Sequence, residues 1–131
     1  MKDMTIGFTA SAETTATADK LAVSVGSGSL KVFATPMMAA LMEAAACSAV
    51  APFLEDGETT VGTQLCIDHI AATPQGMKVT AEAEITAVSG REISLNVRAY
   101  DEAGEIGRGT HKRFVVLAEK FQNKTDQKGK A

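Results

Sequence analysis

The chain has 131 residues, 45% of them hydrophobic and 22% charged, with a formal net charge of −3. That suits one soluble domain with a moderate core, and the acidic balance gives no general attraction to nucleic acid or anionic membrane. With no Trp and one Tyr, the stacking platforms of single-strand nucleic-acid binders are missing as well.

Met4–Thr17 is rich in Thr and Ala, with Ile6 and Phe8 as anchors, and predicts a first strand. Ala18–Lys31 holds Val23 and Val25, then Gly26-Ser27-Gly28-Ser29. This Gly/Ser stretch is either a plain linker or a mobile flap, and composition does not choose between them. Val32–Leu54 then reads as one helix, opened at Thr35-Pro36 and broken near Pro52. Thr is a good N-cap, and Pro in the first turn wastes no amide. The helix reads as apolar on every side, which predicts that other structure surrounds it. Its length admits a membrane span, but Glu43, the Ala content and Pro52 argue against one. Glu43 is the one ionisable carboxylate inside the helix; it has a structural partner or a chemical task.

Glu55-Asp56-Gly57 is a turn, and Thr59–Ile70 a strand. Its more apolar parity, Val61, Thr63, Leu65, Ile67 and His69, is expected to face the core, with Asp68 pointing away. Pro74 and Gly76 mark a loop. Lys78–Val88 and Arg91–Tyr100 alternate cleanly around the tight-turn signal Ser89-Gly90. Glu105–Leu117 is a last long strand whose Gly107 and Gly109 predict a bulge or a close backbone approach. The order is strand, buried helix, then four strands. One antiparallel sheet curled around one helix satisfies it, an α+β architecture in a single domain spanning residues 1–121. The lysine-rich stretch 122–131 is expected to be a disordered tail. Cys47 and Cys66 form no CxxC or zinc spacing, so reduced thiols in a cytoplasmic protein are expected. The N-terminus shows no secretory signal.

This order looks like the hotdog fold. The segments VFATP (32–36), LMEAA (41–45), APFLEDGE (51–58), VGTQLCIDHIAATPQG (61–76) and GEIGRGTHKRFVVLAEKF (104–121) resemble the fluoroacetyl-CoA thioesterase-like family. The resemblance implies a catalytic Thr35, Glu43 and His69, with Gly62 and Arg113 near the substrate. It also implies a site at a homodimer interface, an acyl thioester of coenzyme A as substrate, and no separate cofactor. Members specific for the fluorinated acyl group carry an aromatic lid just before the helix. The matching stretch here, Gly26–Leu30, has none. Fluoroacetyl specificity is therefore not expected, while the resemblance still implies hydrolysis of a short or small acyl thioester.

Thioester hydrolysis needs a nucleophile or water, a proton acceptor and donors for the oxyanion. A carboxylate among apolar residues is more reactive than one in water, and can attack the carbonyl or deprotonate water. His69 can serve as acid or base, or orient water. The Thr35 hydroxyl can donate to Glu43 or substrate, or simply cap the helix. Amides at the helix start or at Gly62 can bind an oxyanion. Each has a bland alternative: a core histidine, a bulge glycine, a solvated Arg113. There is no GxSxG elbow and no paired-histidine metal spacing. The competing function is a non-catalytic hotdog dimer that binds an acyl thioester or small apolar ligand.

Overall fold

Alternation of inward and outward residues, interrupted by bulges, runs through five strands: β1 Thr9–Thr15, β2 Glu58–His69, β3 Lys78–Ser89, β4 Glu92–Asp101 and β5 Gly104–Leu117. The computed structural model describes residues 1–130. Every neighbouring pair is antiparallel, in the order β1-β3-β4-β5-β2, which leaves β1 and β2 as the edges. Gly90, at φ +61°, turns β3 into β4, a backbone state that glycine adopts without strain. The inward residues Val79, Ala81, Ala83 and Ile85 of β3 and Ile93, Leu95, Val97 and Ala99 of β4 are all buried, but Ala87, expected on the same face of β3, is exposed, because a register shift between Ile85 and Ala87 breaks the alternation.

Three helices accompany the sheet: α1 Ala22–Val25, α2 Thr35–Val50 and α3 Ala118–Asp126. The long α2 contacts β1, β3, β4 and β2. Its Met38, Met42, Ala45, Ala46 and Ala49 are fully buried against the sheet's alanines and aliphatics. Small residues on both partners let helix and sheet approach closely, and each buried Met contributes about 1.5–3 kcal/mol. This sheet wrapped on one helix is the hotdog fold. Thr35–Phe53 is long and apolar enough to cross a membrane by length and composition alone. Here that segment is the core helix.

Several sequence expectations change. The helix is not enclosed on every side: Pro36, Ala40, Ala44, Cys47 and Ser48 are exposed, a stripe at helical spacing along the face away from the sheet. Thr35 is not the N-cap. Ala34 takes that position, Thr35 is the first helical residue, and no side chain caps the end. The β2 parity holds for Leu65, Ile67 and His69 but fails before them. A bulge between Gly62 and Gln64 inserts one residue, so Thr60 and Gly62, not Val61 and Thr63, share the inner face. In the first segment only Thr9–Thr15 is strand. Phe8 packs edge-on against Phe53 at 5.2 Å, while Ile6 is exposed.

The tail is also corrected. α3 runs through 122–126, and Gln127–Lys130 continue as a 3-10 turn. Good helix formers, Glu119 in the first turn, Lys124 in the last and a Gln122-to-Asp126 hydrogen bond support it without any buried residue. Ala131 lies outside the described residues.

Candidate active site

The expected site residues fall into two groups on one chain. The first is Thr35 and His69. The start of α2 meets the end of β2, and Thr35 Oγ1 lies 2.8 Å from His69 Nδ1. Burial holds the His69 imidazole below its ordinary proton affinity, so it is neutral at pH 7. Its Nε2 is buried and has no hydrogen-bond partner in the protein. Met37 and Met38 amides both donate to Ala34 O, and the Thr35 amide makes no backbone hydrogen bond among the described residues. The helix therefore begins with a free donor, aligned with the positive end of its dipole.

A cavity of about 420 Å³ opens beside this pair. The Gly/Ser stretch resolves as part of its wall: Ser27, Gly28, Ser29 and Leu30 line it together with Thr35 and His69. Gly26, at φ +82°, ends α1 and turns the chain into this stretch. The stretch thus joins α1 to the start of α2 and borders the cavity beside Thr35 and His69.

The second group is Glu43, Gly62 and Arg113. Two turns along α2 from Thr35, the Glu43 carboxylate accepts from Arg113 Nη1 at 3.3 Å. It is not a sequestered acid: 44% of its side chain is exposed, against 7% for Arg113. Gly62 gives it room, since a Cβ there would lie 2.7 Å from Glu43 Oε2. Arg113 is held from several directions. Its Nε donates to Thr60 Oγ1 at 2.8 Å, its Nη2 to Thr60 O at 3.0 Å, and its Nη1 also reaches His111 Nε2 at 3.1 Å. So Arg113 is not a solvated strand charge. Thr60 and His111 were not expected at the site. The matched parity of Gly109, His111 and Arg113 was the available signal; Thr60 had none, because the bulge reverses its side.

The two groups do not touch. Thr35 and Glu43 are eight residues apart on α2, about 12 Å along the axis. Among the described residues no group of three or more His, Cys, Asp or Glu gathers to hold a metal. Cys47 and Cys66 are free and exposed.

Residues 14–119 match the family model of the fluoroacetyl-CoA-specific thioesterase, FlK. The chain belongs to that family. A curated fluoroacetyl-CoA thioesterase of Streptantibioticus cattleyicolor is 51% identical over 98 residues, 75% of this chain and 70% of that protein. A solved structure of the fluoroacetyl-CoA thioesterase FlK is 40% identical with a TM-score of 0.90, covering 97% of this chain and 98% of the other. A Thr-to-Ser variant of FlK has been solved in complex with acetyl-CoA. A Thermus thermophilus member of the thioesterase superfamily is 28% identical with a TM-score of 0.91, covering 99% and 96%. As a member of the fluoroacetyl-CoA thioesterase family, the protein is a thioester hydrolase with a hotdog fold.

Proposed function

We propose that the protein hydrolyses a short or small acyl thioester of coenzyme A as a homodimer, at sites shared between two copies. The observation that carries this reading is the split of the site residues into two groups along one open face. β2 is an edge strand, and Pro36, Ala40, Ala44 and Cys47 form a small-residue stripe on the neighbouring helix. An unpaired strand edge beside an apolar helical stripe suits a second copy. In a two-fold antiparallel pairing of β2 about the midpoint of Leu65 and Cys66, position 62 lies opposite position 69. Glu43, Gly62 and Arg113 of one copy then face Thr35 and His69 of the other, and each dimer holds two complete sites.

In that arrangement Glu43, held by Arg113, either attacks the thioester carbon, expelling the thiolate and leaving an anhydride that water then hydrolyses, or holds a water that attacks that carbon and expels the thiolate. The free Thr35 amide at the positive end of α2 donates to the carbonyl oxygen as it gains charge. His69, neutral and hydrogen-bonded to Thr35 Oγ1, takes a proton from water and passes it to the departing thiolate. The Gly26–Leu30 stretch carries no aromatic side chain, which supports a less selective pocket than one closed by an aromatic gate.

Subunit complementation tests the reading. Glu43→Ala and His69→Ala each lower thiol release from acetyl-CoA by about 100-fold or more. Random reassembly of equal amounts makes half the dimers mixed, each with one intact site of two. Activity then returns to about a quarter of the wild-type value. Failure of the mixture to recover, or a chain that sediments as a monomer, refutes the shared site. Saturable binding of acetyl-CoA without thiol release by the unmutated protein refutes the hydrolase.

A further inference from the structure

His111 has no part in the chemistry proposed above, yet it is a fully buried imidazole bonded at both nitrogens. Its Nδ1 lies 2.7 Å from Gln64 O, and a carbonyl oxygen only accepts, so Nδ1 carries the proton. Its Nε2 lies 3.1 Å from Arg113 Nη1, and a guanidinium only donates, so Nε2 is bare. Two independent partners therefore select the same neutral tautomer. Gln64 sits at the far side of the β2 bulge, and Arg113 holds Glu43.

We propose that His111 is a positioning residue of the site, tying the β2 bulge to the Arg113 guanidinium and so fixing where Glu43 is held. The inference rests on the role proposed for Glu43. A protonated His111 loses its acceptor and sets a second cation against Arg113. The groups around it oppose each other. Burial and Arg113 disfavour the charged ring, whereas the Gln64 carbonyl and Glu43 favour it; burial is the largest effect and keeps the ring neutral. Leu95, its neighbour on β4, adds no charge. The bulge and the guanidinium thus move together: a shift of Gln64 reaches Arg113 through one rigid ring. The same bulge turns Gly62 towards Glu43, so both the space for the carboxylate and its cation depend on one residue.

Two substitutions separate the two bonds. His111→Gln keeps an acceptor near the Nε2 position, and His111→Asn keeps a donor near the Nδ1 position. Each variant breaks one end of the tie, so both fall about 10- to 100-fold in kcat on acetyl-CoA with KM nearly unchanged, since misplacement by about 1 Å can cost about 100-fold. A kcat within about 3-fold of the wild type in either variant overturns the proposal. Ring 15N spectra of the unmutated protein decide the tie without any variant or activity: Nδ1 protonated and Nε2 bare at pH 7 is expected. A protonated Nε2 overturns it. Absence of thiol release from the unmutated protein sinks the hydrolase reading instead, and the ring spectrum still decides whether His111 holds Arg113.

Discussion

Replacing Gly62 by Ala separates activity from stability. The added Cβ lies 2.7 Å from Glu43 Oε2 and 3.3 Å from both Arg113 Nη1 and His111 Cε1. Ordinary contact begins near 3.4 Å, so the carboxylate must recede by about 0.7 Å. A move of that size strains an ion pair already at 3.3 Å. Gly62 is not among the glycines at positive φ, so Ala fits the backbone and removes freedom from the unfolded chain, a gain of about 0.4–1 kcal/mol. Glu43 is the flexible end of a part-exposed side chain, and its adjustment costs about 0.5–1.5 kcal/mol. The two nearly cancel, and net stability stays within about 1 kcal/mol of the wild type. The catalytic effect does not cancel: a carboxylate displaced by most of an ångström lowers kcat by about 10- to 100-fold, or about 1.4–2.7 kcal/mol of barrier. Thermal unfolding and thiol release from acetyl-CoA measure the two sides. Full activity in the Ala variant refutes the placement of Glu43, and a collapse in Tm refutes the flexibility assigned to it.

Gly109→Ala has the opposite outcome, because its Cβ meets Cys66 O and lies 2.7 Å from Ile67 Cα, both backbone. A strand cannot swing aside as a side chain does, so a loss of about 3 kcal/mol or more is expected in denaturant unfolding; an unchanged midpoint contradicts the close approach of β5 to β2. The histidines predict a pH effect on stability. Burial lowers the folded-state pKa of both His69 and His111 from 6.5, so below that value the unfolded chain binds protons that the folded chain refuses. Their contribution is present above pH 6.5 and is lost as pH falls through the folded values. Asp19 and Glu58 start from 3.8 and 4.5 and are themselves lowered, so they act in more acidic solution. Tm is therefore expected to drop as pH falls below 6.5, and a flat or rising Tm there rules this out.

The hairpin of β3 and β4 was legible because its inward residues from Val79 to Ile85 and from Ile93 to Ala99 obey a period of two, failing only at Ala87 past a register shift, and α2 because Thr35-Pro36 and Pro52 bracket it. Three features were not. The bulge in β2 follows from pairing with β5 and from the His111–Gln64 contact, neither of which is local in sequence. Thr35 looked like a cap because Thr caps well, but Ala34 has the extended backbone of that position and Thr35 turns its hydroxyl to His69. Glu43 looked sequestered because its neighbours in sequence are apolar; in space its neighbours are Gly62 and Arg113. The resemblance supplied the set Thr35, Glu43, Gly62, His69 and Arg113. The structure adds its internal order: Glu43, Gly62 and Arg113 together, Thr35 and His69 together, and the two sets apart.

The Gly26–Leu30 wall stands outside the buried cluster, and Leu30 is 67% exposed. Nothing in the core leans on it. The four positions Ser27–Leu30 can therefore be rewritten at little risk to folding, with Gly26 kept for its φ of +82°, while every such change alters what borders Thr35 and His69. Selectivity in this scaffold is modular: a library confined to that stretch would retune which acyl groups enter and leave the hydrolytic groups in place.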